Sequence, residues 1–77
     1  MENKIKRERF IKVAGNRVQR LIDTFALLSN CSNKNNYEYT EEDVRHMFSE
    51  IDKAYRKTRE AFSSQQLRED NKFKFNN

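Results

Sequence analysis

"NKNNYEYTEEDVRHMF", residues 33–48, changes character half-way along. Its first residues carry no apolar period. Asn is a turn former because its short side chain bonds nearby backbone groups. The second part has the signals of a helix start. Thr40 is the predicted N-cap, with its hydroxyl accepting the amide of Asp43 and the Asp43 carboxylate reaching back to the Thr40 amide. This is the capping box with Asp in place of Glu. Tyr39 precedes the cap and Val44 lies four residues inside, the spacing of a hydrophobic staple. Glu41, Glu42 and Asp43 place negative charge at the positive end of the helix dipole. The stretch therefore reads as a chain reversal followed by a capped helix.

Downstream of the cap, Val44, Met47, Phe48, Ile51, Ala54, Tyr55, Thr58, Ala61 and Phe62 recur in steps of three and four. That is the period of one helical face. It predicts a helix over residues 41–63, reaching Leu67 at most. A stripe of this kind is core rather than a cofactor box. Upstream, Ile11, Ala14, Val18, Leu21, Phe25 and Leu28 keep the same alternation, widened by Phe10 and Ile22. They predict a helix over residues 4–29. Toward its N-terminus the register falls on Lys4 and Arg7, where the apolar seam fades. Asn30 tolerates the left-handed conformation that often ends helices, and is the expected stop.

The expected fold is all-α, an antiparallel two-helix hairpin closed by the Asn-rich turn. Folded back, Leu28 meets Val44, Phe25 meets Met47 and Phe48, Leu21 meets Ile51, and Ile11 meets Phe62. Ala14 and Gly15 let the backbones approach. One facing helix cannot cover Phe10, Val13, Ile22, Leu27, Met47 and Tyr55 together. Dimerisation into a four-helix bundle would cover them. A third helix from the tail is the competing solution, but residues 64–77 are mostly polar, with Leu67, Phe73 and Phe75 as isolated anchors. The domain expectation is a helical hairpin over 1–63 and a polar tail over 64–77. The tail is partly disordered or forms a short extra helix, and "KFKF" is an extended segment or a frayed end.

Composition points the same way. The 77 residues include no proline and one glycine, which disfavours short strands and tight turns. Hydrophobic residues make up 35% and charged residues 36%. A chain this small with so few apolar residues has a thin core, which again favours completion by a partner. No segment approaches the roughly 20 apolar residues of a membrane span, and the N-terminus lacks the apolar stretch of a signal peptide. The expected setting is cytoplasmic, with no membrane partner.

The net charge of +4 is unevenly distributed. Residues 1–22 carry Lys4, Lys6, Arg7, Arg9, Lys12, Arg17 and Arg20 against Glu2 and Glu8. Residues 53–77 carry seven further cations against three acids, and the middle of the chain is acidic. A hairpin brings the two basic segments to one end. Lys6, Arg7, Arg9, Lys12, Lys57 and Arg59 are the candidate contacts to nucleic-acid phosphates. Cations in the first turns of the first helix oppose its dipole, so they are poor choices for stability alone. The competing reading is a solvated face with pairs such as Glu8–Lys12 and Asp52–Arg56 at i,i+4. No helix-turn-helix, zinc finger or RNA-binding motif accompanies the charge, so binding would be indifferent to sequence.

Catalytic chemistry is not expected. Cys31 and His46 are the only residues of their kinds, and no motif joins them to an acid. The acid run is accounted for by capping, which leaves no metal set, and no Gly-rich phosphate loop exists. Neither a cofactor nor an enzyme activity is predicted.

The elements "RF" at 9–10, "NCSN" at 30–33 and "NYEYTEEDV" at 36–44 form one pattern within residues 6–62. In this pattern the chain resembles small uncharacterised helical proteins of bacterial plasmids and mobile genetic elements. The resemblance implies a bacterial cytoplasmic setting and a role in regulation, DNA transfer or counter-defence. It supplies no functional residues. The expected function is a non-enzymatic, self-associating interaction module whose basic end contacts nucleic acid or a nucleoprotein. The alternative is a protein-binding adaptor or anti-defence inhibitor that docks a partner through its apolar face.

Overall fold

The computed structural model describes residues 2–70, with side chains described over 3–65. Among these residues all regular structure is helical: α1 spans Glu2–Asn30 and α2 spans Glu41–Asp70. The chain divides into two units, Met1–Glu38 and Tyr39–Asn77.

In the first unit, α1 runs unbroken for 29 residues, about 43 Å at ~1.5 Å per residue. It begins two residues earlier than the apolar period predicts. The helix continues where the seam fades, because Lys and Arg are good helix formers and no breaker intervenes. Gly15 stays helical, and a Cβ built there would meet nothing within 4 Å.

The end of α1 differs in mechanism from the expectation. The helix stops at Asn30, but no described residue adopts a positive φ. A tightened turn serves in place of a left-handed cap. The Cys31 amide donates to the Leu28 carbonyl at 2.9 Å, Ser32 to Ser29 at 3.1 Å and Asn33 to Asn30 at 3.4 Å. The Ser29 hydroxyl donates to the Ala26 carbonyl at 2.9 Å. Carbonyls left over at the helix end thus find donors through i→i+3 bonds.

The Asn-rich segment is then organised around one residue. The Asn33 carbonyl accepts the amides of Asn36 and Tyr37 at 3.1 and 3.0 Å. Its side-chain oxygen accepts the Asn35 amide at 3.0 Å. One asparagine bonding its own neighbourhood is the behaviour that makes the residue a turn former.

In the second unit, the α2 start matches the sequence reading atom for atom. The Asp43 amide donates to Thr40 Oγ1 at 3.0 Å, and the Thr40 amide donates to Asp43 Oδ2 at 2.8 Å. The Thr40 carbonyl accepts the first helical bond, from Val44 at 3.2 Å. Tyr39 and Val44, the two staple positions, are both half-buried.

The far end of α2 corrects the sequence reading. The helix does not stop near residue 63 but continues to Asp70. Ser63 and Ser64 weaken a helix without ending it, and "QQLRED" after them consists largely of helix formers with no Gly or Pro. Residues 64–70 therefore continue α2, three residues past the Leu67 limit that the apolar period allowed. The "KFKF" segment lies outside the described residues.

Among the described residues none is buried to the degree of a core. Ala14, Leu28, Tyr39, Val44 and Ile51 are half-buried, while Leu21, Phe25, Phe48 and Phe62 remain 47–61% exposed. Thr58, a polar member of the α2 stripe, bonds its hydroxyl to the Ala54 carbonyl at 2.8 Å. That contact satisfies the hydroxyl locally. No helix among the described residues is long and apolar enough to cross a membrane.

Candidate nucleic-acid interface

The two helices treat their charges differently. On α2, each of three cations meets an acid three or four residues before it. Arg56 Nε lies 2.9 Å from Asp52 Oδ2, Lys53 Nζ 3.2 Å from Glu50 Oε2, and Arg45 Nη2 3.8 Å from Glu41 Oε1. These are solvent-exposed pairs, each contributing about 0.3–0.5 kcal/mol at most. The Asp52–Arg56 pair is the one expected from the spacing.

Among the described residues, α1 holds no counterpart of these pairs. Glu8 and Lys12 have the same spacing but do not join. Asp23 is engaged by Gln19, whose Nε2 donates to Asp23 Oδ1 at 3.0 Å. Lys4, Lys6, Arg7, Arg9, Lys12, Arg17 and Arg20 are all exposed, with no carboxylate at salt-bridge distance among the described residues.

An unbroken helix sorts these cations by side, because positions three and four apart are neighbours while positions two apart diverge. Lys6 and Arg9 share a flank, and Lys12 follows one turn on. Arg7 does not belong with them. Its register runs 7, 11, 14, 18, 21, 25, the line of the apolar stripe. On α2, Lys57 and Arg59 stand two residues apart, so that helix turns them to different sides. Of the six sequence candidates, local geometry therefore places Lys6 and Arg9 on one flank, with Lys12 at its edge and outside the line, and separates the other three.

Two residues outside that set join the group. The steps 6, 9, 13, 17, 20 are three, four, four and three, one continuous line along the helix. Arg17 and Arg20 therefore extend the line that Lys6 and Arg9 begin, with Val13 between them. The signal was available in the spacing. Charge is densest toward the chain ends, and that density masks a line set by register.

His46 is exposed, on the side of α2 away from its stripe. Cys31 is an exposed free thiol in the turn after α1. Neither has a catalytic neighbour among the described groups. No protein-family profile, no curated protein and no solved structure matches the chain.

Proposed function

We propose that the chain is a non-catalytic helical interaction module that self-associates through its apolar stripes and contacts nucleic acid through its basic residues. In this reading the two helices form an antiparallel hairpin, and two hairpins complete a four-helix bundle. The setting is the bacterial cytoplasm, and the element that carries the protein is mobile. The observation that carries the reading is the division of charge. The cations of α1 have no carboxylate within salt-bridge distance among the described residues, whereas Arg45, Lys53 and Arg56 of α2 are paired. Neighbouring cations repel each other along one helix, and an anionic partner removes that cost.

A mobility-shift titration across salt tests it. Binding should weaken steeply as salt rises, because each phosphate contact releases a counterion. No shift at low salt refutes the nucleic-acid half.

A protein-binding adaptor is the second reading, favoured by the exposure of Leu21, Phe25, Phe48 and Phe62. It predicts a chain that remains monomeric by mass and does not shift nucleic acid. An inhibitor of a host effector is a special case of it.

A further inference from the structure

We propose that one flank of α1, carrying Lys6, Arg9, Arg17 and Arg20, is a docking strip for the phosphate backbone of duplex nucleic acid. The proposal rests on the nucleic-acid reading above and specifies its residues and its substrate class.

Three observations carry it. First, the four cations form a single line on an unbroken helix. From Lys6 to Arg20 the line covers about 21 Å at ~1.5 Å per residue. A strip of that length suits a regular row of phosphates better than a single anion. Second, all four side chains are exposed, and none is neutralised by an ion pair among the described residues. Their charge is available to a partner of opposite sign, and Arg, which holds three of the four positions, bonds phosphate in a bidentate fork.

Third, the flank has the wrong chemistry for other anionic partners. Single strands are held largely by bases stacked on aromatic rings. Of the aromatic residues of α1, Phe25 lies in the apolar register and Phe10 at the edge of the cationic line, four residues from Lys6; a single ring is no platform for successive bases. A helix lying on an anionic membrane sinks its apolar face while its cations sit at the headgroups. That requires a free apolar face, whereas in the bundle proposed above the Ile11–Val18–Phe25 register is covered and only the cationic line stays exposed. A duplex needs only the cations.

Four phosphate contacts per bound chain predict a slope of log K against log salt of about −3.6, or roughly a 100-fold loss between 50 and 200 mM salt. The test is fluorescence anisotropy with the full chain. The probes are a labelled 30-base-pair DNA duplex, its single strand, and vesicles of phosphatidylcholine with phosphatidylserine. Arg17→Gln with Arg20→Gln is compared with Lys53→Gln with Arg56→Gln, which removes the same charge from the paired helix. Circular dichroism confirms that both variants keep their helix content.

The strip predicts duplex binding with that slope. It also predicts a slope smaller by about 2 for the α1 variant and a far smaller change for the α2 variant. Equal losses in the two variants would show binding by overall charge, overturning the strip while the nucleic-acid reading stands. Preference for the single strand or for vesicles would overturn the duplex assignment. Absence of binding to either nucleic acid at low salt would overturn both readings.

Discussion

Thr40 is where a single side chain has the clearest structural task. Its hydroxyl and amide close a reciprocal pair with Asp43, satisfying two backbone donors that would otherwise lack partners. Replacing Thr40 with Ala should cost about 1 kcal/mol, read from chemical denaturation at fixed protein concentration. Asp43→Ala should cost a similar amount, and the double variant less than the sum, because both changes break one motif. Gly15 makes the opposite prediction. It is helical, has no positive φ and has open space beside it. Gly15→Ala should therefore stabilise α1 by roughly 0.5–1 kcal/mol, seen as a higher melting midpoint. Destabilisation instead would mean that another helix approaches the backbone at Gly15 in the assembled protein.

At the scale of the element, each helix has two chemically different sides. On α1 the apolar register from Ile11 to Leu28 and the cationic register from Lys6 to Arg20 occupy separate sides of the same rod. They can therefore be disabled independently. Phe25→Glu on α1, or Ile51→Glu on α2, places a charge in a stripe proposed to be covered. Either variant should reduce the mass measured by light scattering at micromolar concentration to that of a single chain. Arg17→Gln with Arg20→Gln should leave that mass unchanged. If the stripe variants keep the parental mass, the stripes are not the contact. The extra length of α2 belongs here as well. Helix propensity acts residue by residue, so a polar segment without a breaker stays helical after its apolar stripe has ended.

At the scale of the molecule, the decisive property is how little apolar surface the described residues bury. Burial of apolar area is the main favourable term in folding. Each helix by itself leaves its stripe, Leu21 and Phe25 on α1 and Phe48 and Phe62 on α2, about half exposed and gains little of it. Folding and assembly should then be coupled. The melting midpoint should rise with protein concentration, as mass action requires when association stabilises the native state. A midpoint that is constant over a hundredfold range of concentration would contradict the coupling.

Much of the local structure was legible in the sequence, for a physical reason. The Thr40–Asp43 box, the Asn-rich turn and the helical periods all arise between residues at most four apart, so composition and spacing determine them. The α1 stop at Asn30 was legible in place but not in kind. Several bonding patterns satisfy the same carbonyls, and the backbone took the i→i+3 turn over the left-handed cap. The far end of α2 was not legible, because the apolar period marks where a helix is amphipathic, not where it ends. The candidate site was half legible. The excess of cations was plain in the sequence, whereas their state was decided by side-chain geometry. Asp52 meets Arg56 while Glu8 does not meet Lys12 at the same spacing, since exposed pairs are worth too little for sequence separation alone to fix them.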